Sequence, residues 1–128
     1  GYPVISSVFY NTSGRLLTLD ETLQINQDNY YKNNILLYGS NFQFTDAVLL
    51  SSANSSLFTS TTTLSTARMG NVVGYNLPAE NYQILANNHI NVNLPTLSGT
   101  GDFVIVIKNP AGYASTFDVS QSVFSIVG

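Results

Sequence analysis

The chain has 128 residues with one histidine, seven carboxylates and no cysteine, so few side chains are equipped for chemistry. His89 opens an alternating run and has no HxxxH partner and no thiolate nearby, which leaves a metal only scattered carboxylates. It reads as a hydrogen-bonded or exposed histidine. No serine stands in G-x-S-x-G, so the spacing assembles no nucleophile–histidine pair. Asp20 and Glu21 are adjacent, and adjacent side chains of an extended chain point to opposite faces, which separates them as an acid–base pair. Asp28, Asp46, Asp102 and Asp118 stand alone rather than in the D-x-D-x-D-G loop that holds calcium. A phosphate-cradling glycine loop is also missing. These residues imply a protein without chemistry of its own: not an enzyme, with no metal and no cofactor.

Binding is then the function to look for. Eight tyrosines and seven phenylalanines exceed the needs of one small core. Tyr10, Tyr30, Tyr31, Tyr75, Tyr82 and Tyr113 fall in or beside expected loops and strand ends. Tyrosine offers a large contact area at little entropic cost, so Tyr30, Tyr31, Tyr75, Tyr82 and Tyr113 are candidates to stack on sugars or fill pockets on a neighbour. The competing reading is that they cover strand ends with the hydroxyl in water. Asn11-Thr12-Ser13 and Asn54-Ser55-Ser56 match the glycosylation pattern, a chance match being expected in a chain so rich in Asn, Ser and Thr.

These residues must be held by a single domain, given the length. Hydrophobic residues make up 44% and charged residues 9%, so polarity comes from Asn, Ser and Thr, and the surface is expected to be neutral and adhesive. The formal net charge of −3 comes with only four bases, Arg15, Lys32, Arg68 and Lys108, and these form no stripe able to neutralise phosphates. Nucleic acid is excluded as the expected partner. No apolar run approaches the roughly 20 residues of a membrane helix. The opening GYPVISSVFY lacks the charged and long apolar regions of a signal peptide, and Gly1 fits either Met removal or processing.

Short runs of β-branched and aromatic residues separated by Asn, Gly, Pro and Ser predict strands throughout. Pro3 introduces the first, over residues 4–10, and suits a strand's first position because it has no N–H to give a ladder. Residues 34–38 and 47–51 follow; 16–19, 23–25 and an edge strand over 58–66 are weaker. Within 70–88, Val72-Val73 and residues 82–85 read as strand pieces and 78–81 as one helical turn. Residues 89–94 alternate strictly, with Ile90, Val92 and Leu94 on one face. Residues 102–108 are apolar on both faces, which belongs mid-sheet or under a second protein. After the Asn-Pro-Ala-Gly turn the alternation of Ser115, Phe117 and Val119 predicts another strand. Gln121-Ser122 reads as a bulge before a last strand over 123–127. Many short strands with no room for helices favour two antiparallel sheets packed face to face.

Three features in order resemble the immunoglobulin-like module called IPT or TIG, found in plexins, some transcription factors, and bacterial and phage surface proteins. They are the opening Pro3-Val4-Ile5-Ser6-Ser7-Val8, the strand Ile35-Leu36-Leu37-Tyr38 running into Gly39-Ser40-Asn41-Phe42, and the pair Ile90-Asn91-Val92-Asn93-Leu94-Pro95 and Phe103-Val104-Ile105-Val106-Ile107-Lys108-Asn109-Pro110-Ala111-Gly112. The resemblance runs from Pro3 to about Val119 and implies an all-β, immunoglobulin-like β-sandwich of about seven to nine antiparallel strands. Relative to that family, residues 11–33 and 52–88 are longer and read as insertions. Both glycine-bearing corners have a structural explanation. Gly39 needs a positive φ or a close backbone approach, Phe42 turns its ring into the core, Asn41 fixes the corner, and Asn109, Pro110 and Gly112 build a hairpin tip.

Two functions follow as expectations. The first is a structural or decoration subunit of a larger particle, a phage or virus capsid, tail or fibre, whose partners are other structural subunits or further copies of itself. In that reading Val123, Phe124 and Ile126 of the terminal strand pair with a neighbour by strand addition. The second is a glycan-binding or adhesive module at a bacterial surface. Either places the chain on a virion or outside a cell.

Overall fold

Thr, Val, Ile and Tyr crowd one another less on a pleated strand than on a helix, and here they give twelve strands among the described residues. In the computed structural model the described residues are 1–10, 22–25, 34–52, 59–60, 64–70, 72–95, 99–119 and 123–126. The strands are β1 (Val4–Tyr10), β2 (Thr22–Ile25), β3 (Asn34–Ser40), β4 (Ala47–Ser52), β5 (Thr59–Ser60) and β6 (Thr66–Met69). They continue with β7 (Val72–Asn76), β8 (Tyr82–Ala86), β9 (His89–Asn93), β10 (Gly99–Asn109), β11 (Gly112–Ser115) and β12 (Val123–Ile126). The fold is all-β and forms a sandwich. One sheet has the order β1-β3-β9-β8; the other runs β2-β12-β10-β4-β7-β6, with β11 and β5 also paired to β10. The described pairings are antiparallel apart from β12 with β2.

Alternation places the core. Ile5 and Val8 of β1, Ile35 and Leu37 of β3, and Ile90 and Val92 of β9 face inward from the first sheet and are buried. Val48 and Leu50 of β4, Phe103, Ile105 and Ile107 of β10, and Ala114 of β11 meet them from the second. Fully burying each large aliphatic or aromatic side chain contributes roughly 1.5–3 kcal/mol. The other face of β10 is buried too. Val104 and Val106 form a second small cluster with Leu49, as a strand apolar on both sides requires when it lies mid-sheet.

The corners show how backbone demands choose residues. Gly39 keeps a negative φ, and close approach is its reason: a Cβ there would overlap the Val4 carbonyl oxygen and lie 2.8 Å from Phe42 Cζ. The left-handed residue of this corner is Asn41, at φ 63°. Its Nδ2 donates to the Tyr2 carbonyl at 3.0 Å, while Phe42 is fully buried. Asn109 has all its side-chain capacity engaged. Its Oδ1 accepts from the N–H groups of Ala111 (2.8 Å) and Gly112 (3.1 Å), and its Nδ2 donates to the carbonyls of Gly1 (3.0 Å) and Asn41 (3.3 Å).

The strand expected through Ser115, Phe117 and Val119 is replaced by a turn of 3-10 helix, Thr116–Asp118. Ser115 Oγ accepts from the Phe117 N–H and the Asp118 carboxylate accepts from the Ser115 N–H, a reciprocal cap that competes successfully with alternation. Among the described residues the break falls where β10 has no strand partner on that edge: β11 reaches Val106 opposite Ser115, and pairing with β12 starts at Phe103 opposite Phe124. Thr116 fills the gap, its buried hydroxyl accepting the Ile105 N–H at 3.0 Å.

Candidate functional site

The residues named from sequence do not converge. Tyr30 and Tyr31 lie outside the described residues, as do the Gln121-Ser122 bulge and the strand expected over 16–19. Tyr75 in β7 and Tyr82 in β8 are strand residues packed against the main core. Burial raises the Tyr82 phenol above its ordinary value of 10.0, and the negative charge of Asp46 adds to the shift. Tyr113 is half exposed, opposite Lys108, whose ammonium lies 3.2 Å from Asp46 Oδ1. Val123, Phe124 and Ile126 belong to a strand already paired on both edges, antiparallel to β10 and parallel to β2. Strand addition through β12 therefore has no free ladder to use.

Aromatic side chains reach the surface in two other places. At one pole of the sandwich, Asn109 and Asn41 tie the first two residues to the β3–β4 corner and to the β10–β11 turn. Tyr2, Phe44 and Tyr113, 63%, 70% and 50% exposed, are borne by these three tied segments. A Cβ on Gly112 would meet the Tyr2 Cβ at 3.2 Å, so the N-terminal segment lies directly on the turn.

The second surface is the outer face of the β1-β3-β9-β8 sheet. A register shift between Ile5 and Ser7 lets β1 bury Val8 and turn Ser7 and Phe9 outward. Across the sheet, Ser7, Tyr38, His89 and Ala86 then form one row, and Phe9, Leu36, Asn91 and Gln83 the next. Ser7, Phe9, Leu36 and Tyr38 line an open groove of about 480 Å³. Phe9 meets Tyr38 edge to face, with centroids 5.4 Å apart and planes at 82°, and Tyr38 lies 5.3 Å from the tilted His89 ring. His89 Nδ1 is 3.2 Å from Asn88 Oδ1. Asn34 shares the face two residues before Leu36, and its buried Oδ1 has no hydrogen-bond partner among the described residues.

Period-two reading holds the signal for this groove. Residues 4–10 and 35–38 carry large apolar side chains on both faces, the same property that marks 102–108, and pairing two such strands leaves an aromatic face outside the core. Chemically, the groove offers apolar contact and neutral hydrogen-bonding groups. His89 has a tyrosine ring and an amide beside it, and among the described residues no three His, Asp or Glu side chains gather as a metal site would need. No helix among the described residues is long and apolar enough to cross a membrane. No family model, no curated protein and no solved structure matches this chain.

Proposed function

We propose that the chain is a non-enzymatic structural or decoration protein, an immunoglobulin-like subunit docked on a larger assembly, with a phage or virus particle (capsid, tail or fibre) preferred to a cell-surface filament. Strand order supports the immunoglobulin-like part. Placing β1, β3, β9 and β8 as A, B, E and D, and β11, β10 and β4 as G, F and C, matches the strand order of that fold, with β12, β2 and β5 additional to it. β7 and β6 extend the second sheet beyond C, as C′ and C″ do, but in reversed chain order.

The observation that carries the docking reading is the aromatic pole. Tyr2, Phe44 and Tyr113 are half or more exposed on segments that Asn41 and Asn109 fasten together, so the backbone that carries them is organised before a partner arrives. Aromatic side chains are enriched at interface centres, and preorganisation lowers the cost of ordering them on binding. The test replaces Tyr2, Phe44 and Tyr113 together by serine and follows incorporation of tagged wild-type and variant chains into the native particle. Incorporation of wild type with exclusion of the folded variant is the expected result. Equal incorporation of both, or a wild-type chain that stays free while the particle forms, overturns the reading.

A further inference from the structure

We propose that the groove on the outer face of the β1-β3-β9-β8 sheet binds neutral carbohydrate, a hexopyranose lying against Tyr38 and Phe9. This goes beyond docking at the aromatic pole and does not depend on it.

Charge is the first argument. The strands β1, β3, β8 and β9 read VISSVFY, NILLYGS, YQILA and HINVN, without a single Asp, Glu, Lys or Arg. A charged ligand would lose its hydration on this face and find no Asp, Glu, Lys or Arg on these four strands in return. A neutral ligand rich in hydroxyls loses less, and hydrogen bonds to neutral polar side chains can replace what it loses.

Chemistry is the second. Phe9 and Tyr38 both line the groove with their planes at 82° to one another, so the two rings turn different surfaces to a ligand there. The electron-rich ring face attracts the weakly positive C–H groups along one side of a pyranose. The hydroxyls at the sugar's rim both donate and accept, and so do the side chains that share the two rows: Ser7, Gln83 and Asn91, with the phenol of Tyr38.

Size is the third. The groove, about 480 Å³, falls within the roughly 300–1,000 Å³ usual for small-molecule sites. A second copy of the chain fits less well. Four strands about 4.8 Å apart, two of seven residues and two of five at about 3.4 Å per residue, cover roughly 400 Å², against the roughly 800 Å² per partner of a stable interface.

The test presents the purified full chain to immobilised neutral gluco-, galacto- and manno-oligosaccharides beside sialylated and sulfated ones, and then titrates the best binder by NMR. Selective retention on a neutral glycan, with shifts confined to Ser7, Phe9, Leu36, Tyr38 and their row neighbours, is expected. Tyr38→Ala should weaken binding at least tenfold, while Arg68→Ala, in β6 of the other sheet, leaves it unchanged. Ser7→Arg, which puts a long cation into the groove from a residue outside the core, should also abolish binding and serves where Tyr38→Ala fails to fold. Retention of no neutral glycan, preference for the anionic ones, undiminished binding by both folded groove variants, or concentration-dependent self-association mapped to this face each overturns the proposal.

Discussion

Replacing Thr116 by valine tests the account of the broken edge strand. Ile105 lies in the interval of β10 that neither β11 nor β12 covers, and its N–H is taken by the Thr116 hydroxyl at 3.0 Å with Thr116 fully buried. Valine keeps the branched shape and removes the acceptor, so little cavity forms and the main effect is one buried N–H left without a partner. Such a group costs about 1–3 kcal/mol. At a urea m-value of about 1.5 kcal/mol/M, a loss near 2 kcal/mol lowers the unfolding midpoint by about 1 M. Native-state hydrogen exchange gives the sharper readout: the Ile105 amide should lose protection in Thr116→Val while its neighbours in β10 change only as global stability does. Thr116→Ser keeps the acceptor and should keep Ile105 protected, even where losing a methyl lowers stability. Valine within about 0.5 kcal/mol of wild type, or serine exposing Ile105 as much as valine does, refutes the reasoning.

Gly39→Ala forces a Cβ onto the Val4 carbonyl where β1 and β3 pair, and should cost at least about 3 kcal/mol or prevent folding, read by circular dichroism and urea melts. Asn109→Asp keeps the accepting oxygen but turns a second oxygen toward the carbonyls of Gly1 and Asn41. A loss of about 2–4 kcal/mol is expected at neutral pH, with selective loss of amide protection around Tyr2 and Asn41. Because the folded Tyr82 phenol titrates above its unfolded value of 10.0, its contribution to stability is complete below about pH 10 and declines as pH rises through the raised value. Tyr82→Phe should flatten that alkaline limb in urea unfolding curves compared between about pH 9 and 11. Asp46→Asn breaks an ion pair whose side chains are 37% and 48% exposed, so a change under about 1 kcal/mol is expected, shrinking further in high salt.

How much of this was readable in the chain depended on whether the cause was local. Ile90, Val92 and Leu94 alternate within six residues and are buried as that pattern requires. Phe42 and the Asn-Pro turn likewise follow from side-chain and turn chemistry a few residues across. Gly39 was readable as a constrained position, but whether torsion or crowding constrains it depends on Val4, a residue 35 positions away. The turn at Thr116 had a local sign, Ser115 followed three residues later by Asp118, that the alternation of Ser115, Phe117 and Val119 obscured. The groove was hidden for a different reason: period two shows that β1 and β3 are apolar on both faces, while only the pairing of Phe9 with Leu36 and of Ser7 with Tyr38 makes those faces one surface.

The Asn109 side chain has a consequence for how the protein ages. An asparagine ordinarily deamidates when the backbone nitrogen of the next residue attacks its side-chain carbonyl and closes a succinimide ring. Here the next residue is Pro110, whose ring nitrogen carries no hydrogen and cannot close that ring. In a chain whose polarity rests so heavily on asparagine, the amide that joins residue 1 to residue 109 is thus shielded from that route of chemical decay by its own neighbour in sequence. A chain that must persist long after synthesis would keep its pole fastened while exposed amides elsewhere slowly turn acidic.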